Sequence, residues 1–306
     1  MKVFVLAPNE NWILDRIASE WAIECPELTT TDFNEADVLW LVSSFNWMKI
    51  PARVLEEKKV IATIHHVALS KFTKNSLREF LERDKFVDAY HVPCQKTKEI
   101  ISQITSKPIH VIGYWYNDKI WSPADKDAAR ESLGLQKDKF IVASFQRDTE
   151  GHDLKSPKLE KGPDLFFDYV NNNFEKENTM VLLGGWRRQY IINKLEEAGI
   201  EYKYFEMAPL EKLKTMYAAC DLYVVSSRVE GGPQAILEAA AMRIPIVSTD
   251  VGMATAVLTD NCIFDVGEEH YEPTGEDVED NYQRVSEFEL KNHVKKYKKM
   301  LEDTLS

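Results

Sequence analysis

Short apolar runs alternate with amphipathic stretches along most of this chain. Lys2 to Ala7, Ala36 to Ser43, Val60 to His65, Ala89 to Pro93 and Ile109 to Ile112 each read as a short buried strand. Between them, Glu10 to Ile23 sets Trp12, Ile13, Ile17 and Trp21 at helical spacing, and Asn75 to Arg83 is also helical. Strands alternating with helices predict a parallel sheet with helices on its faces. A turn-rich stretch, Gly113 to Asp118 and on through Trp121-Ser122-Pro123, breaks the pattern. It then restarts. Phe140 to Phe145, Met180 to Leu183, Leu222 to Val225 and Ile244 to Val247 read as strands; Asp164 to Phe174 and Glu211 to Cys220 read as helices. Val266 to Asn281 is acidic and contains glycine, so it reads as loop or weakly ordered. Ser286 to Leu305 returns to helical spacing. The predicted organisation is a domain over 1–118, a second of the same style over 119–285, and a final helix over 286–306.

A length of 306 residues suffices for two ordinary domains, and 44% hydrophobic with 29% charged residues describes a globular chain. No apolar run is long enough to span a bilayer, and the N-terminus enters strand-like sequence without a signal-peptide pattern. Cys25, Cys94, Cys220 and Cys262 are widely spaced, with no zinc-like pairing; they read as buried thiols of a reducing, cytoplasmic compartment. The net charge of −12 lies almost wholly in residues 121–306, where 34 acids face 23 bases. Nucleic acid is therefore not an expected partner. Lys49 to Lys85 is basic, with nine Lys/Arg against five acids. It reads as a solvated face, with peripheral contact to a membrane surface as the alternative.

The richest local pattern is the run from Ser226 to Met242. An apolar strand leads into Glu230-Gly231-Gly232-Pro233, and a good helix former follows, with Gln234 and Glu238 inside it. Proline suits the first helical position, so the helix is expected to start at Pro233. Its unpaired N–H groups and positive dipole end then face a glycine turn, which is an anion site. Glu230 stands at the mouth of that site. Glu238 lies farther in, beside alanines, where a carboxylate suits the hydroxyls of a ribose or a sugar.

These residues resemble the retaining glycosyltransferases of the GT-B fold, family 4. The family pattern is a glutamate, a glycine turn, and a second glutamate eight positions on within "LEAMA"; here it reads Glu230-Gly231-Gly232-Pro233 and Leu237-Glu238-Ala239-Ala240-Ala241. Asp221 to Ser227 is similar to "ADLFVLPS", and Pro245 to Gly252 to "PVVATDVGG". Arg147 after a strand, then Lys161-Gly162-Pro163-Asp164, is similar to the family's arginine and "KGxD". The resemblance implies two Rossmann-like parallel-sheet domains facing a cleft, with the last helix crossing back onto the first. It implies that Arg147 and Lys161 hold a donor diphosphate and stabilise the charge growing there as the glycosidic bond breaks. Gly184, Met207 and Ala208 would meet the nucleotide, Glu230 the sugar, and Glu238 the ribose; Gly231, Gly232 and Gln234 would line the phosphate turn. His65, in Ala62-Thr63-Ile64-His65-His66, matches a histidine that approaches the transferred sugar.

Four departures stand beside these matches. The stretch Thr149 to Glu160 lengthens the gap between Arg147 and Lys161; it reads as an acceptor loop, or as the source of a competing lysine, Lys155 or Lys158. Pro8 to Trp12 lacks the family's N-terminal glycines. Gly113-Tyr114-Trp115 replaces "PNG", and Ala256 stands where many relatives carry glutamate. Asp125-Lys126-Asp127 matches a metal-binding DxD only superficially and reads as surface.

The expected function is transfer of a sugar from a UDP- or GDP-type donor to a glycan, lipid-linked or other hydroxyl acceptor. The anomeric configuration is expected to be kept, and neither metal nor cofactor is expected. A non-catalytic nucleotide-sugar-binding module and a nucleotide-sugar epimerase are the alternatives.

Overall fold

The computed structural model describes residues 1–10, 13–265 and 272–306. The expected helical position of Trp12 and the first residues of the acidic stretch lie outside them. The chain divides into two compact units, Met1–Asn117 with Leu290–Ser306, and Asp118–Glu289. Both are α/β with a parallel sheet.

Unit 1 runs β1 (Val3–Val5), α1 (Ile13–Glu24), β2 (Thr29–Thr30), β3 (Val38–Leu41), α2 (Ala52–Glu57), β4 (Lys59–Thr63), α3 (Lys74–Asp84), β5 (Ala89–Val92), α4 (Gln95–Ile101) and β6 (Ile109–Val111). The sheet order is β2-β1-β3-β4-β5-β6, all parallel. Val38-Leu39-Trp40-Leu41 is buried on both faces, which is why β3 reads as a continuous apolar run. The short helices α2 and α4 carry too few apolar residues to declare themselves in the sequence.

A buried polar chain crosses the strands of unit 1. Trp40 Nε1 donates to Thr63 Oγ1 at 2.9 Å. Thr63 Oγ1 lies 3.0 Å from His91 Nδ1, and His91 Nε2 lies 2.8 Å from the Ile112 carbonyl. A carbonyl only accepts, so Nε2 carries the proton and Nδ1 receives the threonine hydroxyl. The last helix of the chain, α12 (Leu290–Leu305), belongs to this unit. Its Tyr297 and His293 reach the Gly113 carbonyl at 2.9 and 2.7 Å. Trp115 packs against Trp40 and Tyr297 and donates to Glu20 Oε2 at 2.8 Å. The replacement of "PNG" by Gly113-Tyr114-Trp115 is therefore a packing solution: the tryptophan fills the core beneath the last helix.

Unit 2 runs α5 (Lys126–Leu133), β7 (Phe140–Phe145), β8 (Thr149–Glu150), β9 (Ser156–Pro157), α6 (Pro163–Asn173), β10 (Thr179–Gly185), α7 (Gln189–Ala198), β11 (Glu201–Glu206), α8 (Leu210–Ala218), β12 (Leu222–Val225), α9 (Gln234–Ala241), β13 (Ile246–Ser248), α10 (Ala254–Val257) and α11 (Gly275–Val285); α12 (Leu290–Leu305) follows in unit 1. Its sheet order is β11-β10-β7-β12-β13, again parallel. Val142, Phe166, Val181, Leu183, Ile191, Leu195 and Leu222 form the core between sheet and helices.

Two sequence expectations change here, and one strand is added to them. The acidic stretch is helical from Gly275 onward, because Thr274 and Asp277 close a reciprocal cap at its start. Asp277 also accepts from Thr259 Oγ1 at 2.7 Å, so two of its apparent loop features are anchors. Pro233 precedes the first turn of α9 rather than joining it, since its ψ of 113° is extended. Glu201 to Glu206, unmarked in the sequence analysis, is an edge strand: its charged residues face outward while it pairs with β10. Asp125 accepts the Ala128 N–H at 2.7 Å and caps α5, and Asp127 lies in the first turn of that helix.

Arg188 and Asp148 form an ion pair with no exposed side-chain surface. The guanidinium also donates to the Ser144 and Gly184 carbonyls. Removing one partner would strand a buried charge, at a cost of about 3–5 kcal/mol. Arg188→Ala is thus expected to lower the unfolding free energy, read from denaturant melts, by that amount. The double change Arg188→Met with Asp148→Ala should recover much of it.

Burial pushes the His91 pKa down to about 3. The unfolded chain takes up this proton below about pH 6.5 and the folded chain does not, so stability falls as pH drops from about 6.5 toward 3. The slope attributable to His91 is at most about 1.4 kcal/mol per pH unit. His91→Gln should be less stable at neutral pH, and its melting temperature should fall less steeply over that window.

Candidate nucleotide-sugar site

In a doubly wound parallel sheet, loops leaving neighbouring strands in opposite directions open a crevice at the strands' C-terminal ends. In unit 2 that point lies between β7 and β12: from β7 the chain proceeds to β10 and β11, while β12 and β13 lie on the other side. The loop after β7 carries Arg147 and leads to Lys161. The loop after β12 carries Glu230, Gly231 and Gly232.

The structure brings these residues together. Lys161 Nζ forms an ion pair with Glu230 Oε1, and both side chains are largely buried. Ser227 Oγ approaches the same Glu230 oxygen at 3.4 Å. Gln146 Nε2 donates to the Lys161 carbonyl at 3.0 Å, fixing the backbone that carries the lysine. Gly162 lies at φ +57°, and a Cβ there would sit 1.8 Å from the Ser226 carbonyl oxygen. Only glycine allows the two loops to touch at that point. Gly252 plays the same part beside Gly231, where a Cβ would meet the Gly231 carbonyl oxygen at 2.2 Å. Arg228 grips Asp164, in the first turn of α6, through two hydrogen bonds of 2.7 Å.

Arg147 is half-buried. Its Nε donates to the Thr149 carbonyl at 3.3 Å, and its guanidinium lies 4.8 Å from the Trp186 ring centre. Among the described residues it has no carboxylate within ion-pair distance. Arg187 also lies over Trp186, at 4.4 Å. Trp186 itself remains 40% exposed in the turn after β10. Gly184 ends the buried part of that strand, and the Met207 N–H donates to the Gly185 carbonyl at 3.3 Å. Met207, at φ 45°, turns the chain from β11 into Ala208 and α8. Gln234 opens α9, with Gly231 and Gly232 immediately before its entry.

Glu238 is only 4% exposed, and one of its oxygens accepts from Tyr217 at 2.9 Å. Burial, then this carboxylate, pushes the Tyr217 hydroxyl well above its usual range. The phenol therefore stays a donor, and Glu238 is a braced buried carboxylate rather than a surface one.

His65 belongs to unit 1. It follows β4, and His66 beside it is exposed. His65 Nε2 lies 2.8 Å from the Val42 carbonyl, so it carries the proton, and Nδ1 receives the Tyr114 hydroxyl. Ala256 is exposed in α10.

Sequence reasoning missed Arg188, Asp148 and Trp186. The tripeptide Trp186-Arg187-Arg188 after two glycines was the available signal; its partner Asp148 lies 40 positions away. Among the described residues no group of three or more His, Cys, Asp or Glu side chains is arranged to hold a metal ion, and no helix is long and apolar enough to cross a membrane.

Comparison with known proteins agrees with this layout. Lipopolysaccharide core biosynthesis mannosyltransferase LpsB of Rhizobium meliloti (strain 1021) is 27% identical over 145 residues, a match covering 45% of this chain and 39% of that protein. Among solved structures, Anabaena Alr3699/HepE in complex with UDP and glucose superposes with a TM-score of 0.76 at 13% identity, covering 98% of this chain and 99% of the other. WaaG, a glycosyltransferase involved in lipopolysaccharide biosynthesis, gives 0.63 at 12% identity, covering 99% and 95%. These likenesses identify the fold as GT-B. The profile of the family described as "Glycosyl transferases group 1" matches residues 125–300, which contain Arg147, Lys161, Glu230 and Glu238, and the chain belongs to that family.

Proposed function

We propose that this chain transfers a sugar from a nucleoside diphosphate sugar to a hydroxyl acceptor, keeping the anomeric configuration and using no metal. The observation that carries the reading is the pair of cations at the β7/β12 crevice. Arg147 has no carboxylate partner among the described residues, and Lys161 is held by Glu230 at the glycine turn before α9.

In this reading the donor diphosphate lies against Arg147, Lys161 and the first N–H groups of α9. As the glycosidic bond breaks, negative charge grows on the leaving phosphate, and two fixed cations stabilise it. Those cations supply what a bound Mg²⁺ would otherwise supply. Lys161 exchanges part of its contact with Glu230 for phosphate, which frees Glu230 to accept hydrogen bonds from sugar hydroxyls. Glu238, braced by Tyr217, takes the ribose. Gly184, Met207 and Ala208 take the base, and Gly231, Gly232 and Gln234 line the phosphates. The leaving phosphate oxygen takes the acceptor proton as the new bond forms on the same face.

The family resemblance adds His65 as a contact to the transferred sugar. Its Nε2 donates to Val42 and its Nδ1 accepts from Tyr114, so in this reading a sugar hydroxyl replaces the Tyr114 hydroxyl at Nδ1. The acceptor we propose is a glycan or lipid-linked sugar. Two relatives with names tied to lipopolysaccharide biosynthesis support that choice. Four free, buried cysteines support a reducing, cytoplasmic setting, with peripheral membrane contact following from a lipid-linked acceptor.

Thermal unfolding with UDP, GDP, ADP and CMP and their common sugars, in the presence of EDTA, tests the donor site. UDP heads the panel because HepE was solved with it, and GDP-mannose because LpsB is named a mannosyltransferase. A ligand at a hundred times its Kd adds about 2.7 kcal/mol of stability. We expect one nucleotide to do so in wild type, and Lys161→Ala and Arg147→Ala to lose most of the gain. Anomeric analysis of the product with that donor then checks retention. Stabilisation without any transfer or donor hydrolysis would favour a non-catalytic binding module instead.

A further inference from the structure

The segment separating Arg147 from Lys161 is an ordered hairpin. Thr149 and Glu150 pair antiparallel with Pro157 and Ser156. The chain therefore returns to where it left, and Lys158 arrives beside Asp148, its N–H donating to the Asp148 carbonyl at 2.7 Å. The Lys161 N–H in turn donates to the Lys158 carbonyl at 2.8 Å. The turn that follows is pinned from the other side, where the Arg228 and Val229 N–H groups reach the Glu160 carbonyl at 2.8 and 3.1 Å. Lys158 is thus fixed between the two cations of the donor site, with little freedom in its backbone.

Its side chain is half-buried. Among the described residues it makes no ion pair and no hydrogen bond. Burial, then the nearby charges of Lys161 and Arg147, hold its ammonium below the ordinary lysine range, while Glu160 and Glu230 oppose the shift. Arg147, Lys158 and Lys161 thus outnumber Glu160 and Glu230 by one charge in a confined space. A cation held this way costs stability in the free protein. A bound anion would offset it.

We propose that Lys158 is a third cation of the donor-diphosphate site, delivered by the hairpin that lengthens the gap between Arg147 and Lys161. The inference rests on the donor reading above and goes beyond its two cations. The diphosphate then meets Arg147 and Lys158 from the β7 side and Lys161 from the start of α6. Lys155, on the same hairpin, is exposed and has no such part.

The experiment is titration calorimetry with UDP, GDP and ADP, each beside its parent nucleoside, on wild type, Lys158→Met, Lys158→Gln, Lys158→Arg and Lys155→Ala. For the nucleoside diphosphate that binds wild type best, Lys158→Met and Lys158→Gln should weaken affinity by roughly ten- to hundred-fold, as expected for loss of a charge-assisted contact. Affinity for the nucleoside alone should not change. Lys158→Arg should restore most of the loss, and Lys155→Ala should match wild type. In the absence of nucleotide, Lys158→Met should melt at or above the wild-type temperature, an outcome that loss of a structural lysine would not give. Wild-type affinity in both Lys158→Met and Lys158→Gln would overturn the proposal and leave the donor reading intact. Absence of binding by wild type itself would overturn the donor reading, and this inference with it.

Discussion

Asp148 is the joint on which the unit 2 site depends. Its carboxylate is buried against Arg188, which ties the end of β7 to the turn after β10. Its carbonyl receives the Lys158 N–H, and its own N–H reaches the Arg187 carbonyl at 3.4 Å. Three separate segments therefore converge on one residue, and Arg147 is its immediate neighbour. A buried ion pair is a poor source of net stability, because desolvation offsets its attraction. Its value here is geometric. A guanidinium bonded to a carboxylate and two carbonyls has few alternative arrangements, so the loops carrying Arg147 and Lys158 are fixed before any ligand arrives.

This arrangement also resolves a conflict in the charge distribution. The second half of the chain is strongly acidic, yet a diphosphate needs a positive site. Exposed charges farther away than about 8–10 Å are largely screened at physiological salt. What a bound anion feels is the local set, and there the cations are half-buried while the acids at the crevice are engaged: Glu230 with Lys161, Asp164 with Arg228, Asp148 with Arg188. Such a site attracts its ligand by contact rather than by long-range steering.

The sequence made legible the features that act at short range. β7, β10 and β12 show as apolar runs, and the Glu230-to-Glu238 unit shows as strand, glycine turn and helix because each local preference points the same way. What stayed hidden depends on pairing between distant positions. Nothing near Arg188 announces that Asp148 neutralises it. Lys158 and Lys155 look alike in sequence, yet Lys155, before the second strand of the hairpin, is exposed and Lys158, just past that strand, is half-buried. The helix from Gly275 was obscured for a related reason. Acidity suggested weak order, but Asp277 is acidic because it caps the helix and anchors Thr259 at once.

The departures from the family pattern in unit 1 follow the same logic. Tyr114 and Trp115 stand where a small turn is usual. Trp115 closes an aromatic core with Trp40 and Tyr297, while Tyr114 reaches outward to His65. The local change thus does two jobs: Trp115 seats the last helix, and the Tyr114 hydroxyl occupies His65 Nδ1, whose tautomer the Val42 carbonyl sets. A histidine whose nitrogens are both engaged is held in a single orientation. Its ring position is thereby set by Val42 on one side and Tyr114 on the other. In the proposed reaction the acceptor proton goes to the oxygen uncovered on the departing phosphate, a base that the bond cleavage itself generates.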